Sequence, residues 1–315
     1  YPKVTYVSNI TDIDDKIINA SIETGTPIKE LTSKYEKIYN ENMFELSVLS
    51  PDIQPRATEH IKEMIVLINK LINQNNAYVS DNHVLFDVTS YKNYGLLSGR
   101  NKEDQIAGSR IEVADYKNNS GDFILWKPSS EHQPGWDSPW GRGRPGWHIE
   151  CSAMSEKTLS LPFDIHGGGL DLTFPHHENE IAQSCAAHKF DEPHMYAKYW
   201  IHNGFVTMDG EKMSKSQGNI FLVDDLLKKY SGETLRLALV SSHYRQPLNW
   251  NSDILEQAKK NLDRIYRILK DNENVTTDKN VQPSEAVINA LSDDLNSSQA
   301  IFEINLIADK LSKCK

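Results

Sequence analysis

Between His60 and Asn75 the apolar residues Ile61, Met64, Ile65, Ile68, Leu71 and Ile72 recur at intervals of three or four. That spacing predicts an amphipathic helix with one core-facing stripe. Lys34 to Leu46 predicts another helix. Before them, Val4-Thr5-Tyr6-Val7 is a β-branched and aromatic run that predicts a buried strand. It ends in the polar, cap-forming stretch Ser8 to Lys16, after which a helix should begin, giving half of a βαβ unit. Tyr78-Val79 and Val84-Leu85-Phe86 flank Ser80-Asp81-Asn82, the pattern of a hairpin. From Ala77 to about residue 145 Gly, Pro, Asn and Trp crowd together, which reads as an insertion of irregular structure. Alternation then resumes. A strand over Phe163–His166 is followed by Gly167-Gly168-Gly169, a helix from Pro175 to about His188, and a strand over Tyr199–His202. This second βαβ unit sets glycines at the carboxyl end of its first strand, the edge where open parallel sheets bind ligands. Beyond Leu222 the pattern is helical. Ile254–Leu269 and Pro283–Lys313 predict two or three helices, separated by the polar stretch Asp271–Gln282. The expected class is α/β, a parallel sheet with an insertion, followed by an α-helical region.

Composition narrows the function classes. The 315 residues are 38% hydrophobic and 25% charged, ordinary globular values for one large domain or two. No apolar run approaches the ~20 residues that would span a bilayer. Three scattered cysteines form no disulfide framework and point to a reducing compartment. A net charge of −10 excludes a general nucleic-acid coat but leaves room for a local basic surface.

Two stretches carry candidate chemistry. Pro175 suits the first turn of a helix, which would place His176 and Glu180 on one face, four residues apart. With the distant thiol of Cys151, these side chains form a plausible zinc set with a position left open for substrate. The plain alternative is a solvated His–Glu pair. Further on, Gly204 to Lys212 reads as a hairpin turning at Asp209-Gly210, and it leads into Lys212-Met213-Ser214-Lys215-Ser216. Two lysines three apart can hold a polyanion, or simply form a solvated basic turn.

The string Lys212 to Ser216 matches the KMSKS signature of class I aminoacyl-tRNA synthetases. Asn9 to Ile17, Trp136 to Gly141, Gly146 to Met154 and Phe163 to Glu180 together resemble the cysteinyl-tRNA synthetase family over nearly the whole chain. The resemblance implies a Rossmann-like catalytic domain over 1–220, with a connective-peptide insertion at about 77–145, the zinc site within 151–180 and the signature loop at 212–216. A stem-contact or linker region at 221–250 and the start of a helical tRNA-binding domain at 251–315 would follow. It implies zinc ligation by Cys151, His176 and Glu180, and stabilisation of the ATP phosphates by Lys215 beside Lys212. Gly168, Gly169, Asp171 and His202 would approach the adenosine, and Thr11 and Trp147 would line the amino-acid pocket. Substrates would be L-cysteine, ATP with Mg, and tRNA(Cys), handled by a cytoplasmic monomer that uses no membrane. Zinc suits this task, because it binds thiolate well and a neutral hydroxyl poorly, so it separates cysteine from serine where an apolar pocket could not.

Neighbouring residues carry plainer expectations. His177 points about 100° from His176 on a helix and reads as packing. Cys185 reads as a buried small hydrophobe and Cys314 as an exposed thiol. His166 and His202 end strands, where nucleotide contact and simple packing both remain open. The tryptophans between 126 and 147 read as core of the insertion. Two other readings stay open for the whole chain: a ligase that joins cysteine to a small-molecule amine, and a non-catalytic binding protein of the same stock. Against the family pattern, the sequence lacks a first strand and turn that would add one more zinc-ligating cysteine and a HIGH-type motif, and most of an anticodon-binding region. Were that front truly missing from the protein, the ATP site would be half built and adenylate formation is expected to be weak or nil.

Overall fold

A computed structural model describes residues 3–100, 114–208, 210–213, 220–276 and 280–313, with Lys212 described by its backbone alone. The chain divides into two compact units. The first comprises Tyr1–Ile38 and Pro51–Ile201, the second Tyr39–Ser50 and His202–Lys315.

In the first unit the helix α1 (Asp15–Thr24) starts where the polar run predicts. Asp14 caps it by accepting from the Ile17 N–H at 2.6 Å, and Gly25 closes it in the left-handed region at φ 66°. The helix α2 (Ile28–Glu45) follows, and α3 (Ile61–Asn73) carries the predicted stripe. Ile61, Met64, Leu67, Ile68 and Leu71 are buried, each contributing about 1.5–3 kcal/mol of apolar burial. Val4–Val7 departs from expectation. Only Val7 and Ile10 form isolated parallel bridges, to Ile53 and Arg56. The Tyr6 carbonyl and the Ser8 and Ile10 N–H groups bond to the 52–55 segment, so the alternate positions Thr5, Val7 and Asn9 turn their backbone to the other side.

The insertion is not irregular. Strands β1 (Ala77–Ser80), β2 (His83–Phe86), β3 (Phe123–Pro128) and β4 (Gly143–Pro145) form an antiparallel sheet in that order. Its inner face buries Val84, Phe86, Phe123, Leu125 and Trp126, with the Phe86 and Phe123 rings stacked at 4.9 Å. The tryptophan reading therefore holds for Trp126. The helix α4 (Trp147–Leu159) leaves the sheet at Gly146, whose Cα lies too close to the Ile124 carbonyl for any side chain.

Next come β5 (Phe163–Gly169) and β6 (Ala197–Asn203), neighbours in one sheet, with α5 (Glu178–His188) between them in sequence. The expected helix start is modified. Phe174 is extended (φ −143°, ψ 131°), and a wide helical turn across Pro175–His177 leads into the regular helix at Glu178. Every residue of α5 from Glu178 to Ala187 is buried, including Cys185, as expected for a core helix.

The second unit holds β7 (Val206–Met208), β8 (Glu211–Lys212), α6 (Val223–Leu227), α7 (Gly232–Val240), β9 (Leu248–Asn249), α8 (Ser252–Asp271), α9 (Glu285–Ser292) and α10 (Ser297–Lys313). β7 pairs antiparallel with β8 through the predicted turn, where Gly210 takes φ 84°, and parallel with β9. Leu46, Leu235, Ala238, Leu248, Trp250 and Leu255 form its core. Arg264 of α8 binds Asp309 and Asn305 of α10. Asp209, Ser214 to Asn219 (Lys215 among them) and Cys314 lie outside the described residues. Among the described residues no helix is long and apolar enough to cross a membrane.

Candidate metal centre

Three elements of the first unit converge on one carboxylate. Glu180, fully buried on α5, has Oε1 at 2.8 Å from Nε2 of His176 and Oε2 at 2.9 Å from Nε2 of His166 on β5. The Tyr196 hydroxyl donates to Oε2 at 2.6 Å. Cys151 arrives from the first turns of α4, and the donor atoms of Cys151, His176 and Glu180 all lie within 4.8 Å of one another. A second set with the same closeness is His166, His177 and Glu180.

The electrostatics are those of a cation site. Burial alone would raise the Glu180 carboxyl, but the facing His166 and His176 imidazoles outweigh it and hold the group well below its ordinary range. Burial, then the neighbouring Glu180 and Glu150, pushes the Cys151 thiol well above its usual range. A bound divalent ion reverses that preference, because a coordinating thiol is deprotonated outright. The fit can be tested on the atoms themselves. Oε1 of Glu180 and Nε2 of His166 are buried and close to nitrogen or oxygen, yet neither has a partner in hydrogen-bond geometry. Such atoms are costly unless something else satisfies them. Thiolate, imidazole and carboxylate around one point are a zinc donor set, so the residues present fit that ion.

The surroundings orient the ligands. The other ring nitrogen of His176 lies 2.8 Å from Nδ1 of His148, and the half-exposed Trp147 ring covers His176 at 4.1 Å between centroids. Burial lowers the His148 pKa to about 3, with His176 adding to the effect, so His148 is neutral and one of the two nitrogens in that contact accepts. His177 is buried, its ring 4.7 Å from His166 and 5.2 Å from Trp200. Gly168 makes room for it, since a Cβ there would lie 2.9 Å from the His177 ring.

Behind the centre, the buried Glu178 accepts from the Gly95 and Ser98 N–H groups, both at 2.9 Å, and Asn179 accepts from the Tyr94 hydroxyl at 2.5 Å. This clasp fixes the start of α5 against the 94–98 loop. In front, a cavity of about 450 Å³ opens between Val4–Asn9 and β5, with Cys151 and His166 among its walls. Asn9 reaches the Cys151 sulfur across 3.8 Å.

The structure thus brings Cys151, His176 and Glu180 together and sets the Trp147 ring, tilted by 37°, over His176. Burial raises the carboxyl of Glu150, next in sequence to Cys151, well above its ordinary range, and nearby Thr11 offsets part of that. Gly168 and Gly169 end β5, and the exposed Asp171 follows in the next turn. His202 lies in the second unit on β6, and the Lys212 backbone lies in β8. Sequence reasoning left His166 undecided between nucleotide contact and packing, and its approach to Glu180 was missed. The only signal was its place one residue before the glycine run.

Known proteins share this architecture. A methionyl-tRNA synthetase from Mycobacterium tuberculosis, bound by methionyl-adenylate, superposes with a TM-score of 0.69 at 14% identity, covering 98% of this chain and 75% of its own. The chain therefore shares the fold of that synthetase. The family described as tRNA synthetases class I (C) catalytic domain matches residues 1–260, and the chain belongs to that family. A cysteine–tRNA ligase of Maricaulis maris is 54% identical over 99% of this chain and 67% of its own length. That of Parvibaculum lavamentivorans is 56% identical over 96% and 64%, and that of Saccharophagus degradans 53% identical over 99% and 68%. The chain spans about two thirds of the length of these relatives.

Proposed function

We propose that this chain performs the chemistry of a cysteine–tRNA ligase, with cysteine selected at a zinc ion held by Cys151, His176 and Glu180. The observation that carries the reading is the buried Glu180, pressed against His166 and His176 with Oε1 left without a hydrogen bond. Bound zinc would supply affinity for a thiolate and little for a hydroxyl. His148 and Trp147 hold the His176 ring, Tyr196 holds the Glu180 carboxylate, and Thr11 with Trp147 lines the amino-acid pocket.

The reaction has two steps. The cysteine carboxylate attacks the α-phosphorus of Mg-bound ATP, forming cysteinyl-adenylate and releasing pyrophosphate. A ribose hydroxyl of the terminal adenosine of tRNA(Cys) then takes the cysteinyl group and releases AMP. The protein's part is positioning and charge neutralisation rather than general base catalysis. Lys215, with Lys212, neutralises the phosphates, and Gly168, Gly169, Asp171 and His202 take the adenosine. Residues 1–220 act as the catalytic region, with 77–145 as its insertion and 151–180 as its zinc segment. Residues 221–250 link it to the start of a tRNA-binding helical region at 251–315. The protein works as a cytoplasmic monomer.

The test is pyrophosphate exchange into ATP by the zinc-loaded chain with cysteine or serine, followed by charging of tRNA(Cys). Exchange with cysteine and none with serine supports the reading. Equal exchange with both amino acids sinks zinc selection. Exchange without charging, in the presence of an amine acceptor that becomes acylated, would replace tRNA with a small-molecule substrate.

A further inference from the structure

The turn between α9 and α10 is strained. Asp294 and the next residue, Leu295, both take left-handed backbone, at φ 52° and 54°. Aspartate tolerates that region, but the leucine side chain has no polar atom with which to offset it. Leu295 is 53% exposed, so burial does not repay it either. Strain that persists is held by its surroundings and often marks a working site.

What holds it is a latch. The Asp294 carboxylate accepts from the Tyr244 hydroxyl at 2.6 Å, from Arg245 Nε at 2.6 Å and from Arg245 Nη2 at 3.0 Å, and His243 Nε2 stands 3.7 Å away. Three consecutive side chains of one turn therefore converge on one carboxylate, and the fork of Arg245 fixes its direction.

The far side of that turn grips the strand β7. The Gly204 N–H donates to the Tyr244 carbonyl at 2.7 Å, and a Cβ on Gly204 would lie 2.5 Å from the Gln246 carbonyl oxygen. Only glycine lets the two backbones meet. Beyond the contact, the Leu248 N–H donates to Phe205 and the Trp250 N–H to Thr207. Thr207 pairs in turn with Lys212 across the β7–β8 hairpin. An unbroken run of short contacts connects Asp294 to the backbone of Lys212.

We propose that Asp294 is a positioning residue that, through the turn 243–246, fixes the β7–β8 hairpin, and with it the backbone of Lys212, for ATP binding. This rests on the ATP-binding role given to Lys212 above. Half-exposed ion pairs contribute little to global stability, so the effect is local.

The test compares Asp294→Leu, which removes the acceptor, with Asp294→Asn, which keeps part of it. Amide hydrogen exchange is measured at Gly204, Leu248 and Trp250, together with the kinetics of cysteine-dependent pyrophosphate exchange. The leucine variant should lose about tenfold or more protection at those three amides while α8 and α10 keep theirs. Its KM for ATP should rise, with cysteine binding unchanged, and the asparagine variant should recover part of both. Unchanged protection at the three amides overturns the proposal, as does a loss spread evenly over the unit. If the unsubstituted chain exchanges no pyrophosphate, the ligase reading falls on its own account, and the amides still decide whether Asp294 sets the hairpin.

Discussion

Glu180 faces two imidazoles and the Tyr196 hydroxyl, Asp294 gathers several donors from one turn, and both carboxyls are held below their ordinary range. They do it by opposite means. Glu180 is fully buried, so each donor acts in a medium that magnifies it, and an unmet partner is expensive. Asp294 has a side chain 44% exposed, where water competes with every contact. Its hold comes from the number and geometry of donors on one turn. The contrast separates a centre that tolerates no vacancy from a latch that can be weakened by degrees.

The largest effect should come from breaking the buried centre. Glu180→Gln keeps the shape but removes the charge facing two imidazoles. Zinc retention, measured as metal per chain after dialysis, should drop by more than the ~10–100-fold typical of an altered outer partner. Full retention would mean that Glu180 is not a ligand. Next comes the clasp behind it. Glu178→Ala leaves the Gly95 and Ser98 N–H groups without their acceptor in the interior, so denaturant unfolding should report about 2–3 kcal/mol lost. A loss below about 0.5 kcal/mol, the level of an ordinary surface substitution, would show that the loop finds other partners.

The smallest effect lies at the latch. Arg245, then Tyr244, lowers the Asp294 carboxyl to about 2. A depressed carboxyl contributes stability above its unfolded value of about 4 and loses it as pH falls toward the folded one. The contribution is therefore complete at neutral pH and fades between about pH 4 and 2. Acid unfolding curves of the wild type and Asp294→Asn should be separated at pH 6 and converge within that window. Curves that stay parallel down to about pH 2 would assign the difference to something other than this charge.

The sequence made some of this legible. The α3 stripe and the capped start of α1 declare themselves locally, because their period and caps lie within one turn of chain. His176 and Glu180 were legible because a helix fixes residues four apart. The insertion was not. Its strands are short, and β2 pairs with β3 across some forty residues, so no local pattern reveals the sheet. Val4–Val7 has strand composition, but propensity forms no ladder without a partner on each edge. His166 was hidden for the same reason, since only the folded sheet sets β5 against α5. The lysines of the signature string could be read only as a motif, not from periodicity.

The cavity between Val4–Asn9 and β5 has a further consequence. Thr5, Val7 and Asn9 turn their backbone groups away from the 52–55 segment, and among the described residues β5 is paired only with β6. Val4, Tyr6 and Ile165 stand beside that gap 66%, 42% and 54% exposed. Bare edges flanked by apolar side chains are a template for foreign strands. Among the described residues, the groove that gives access to Cys151 is thus bordered by strand edges able to take up one more extended segment.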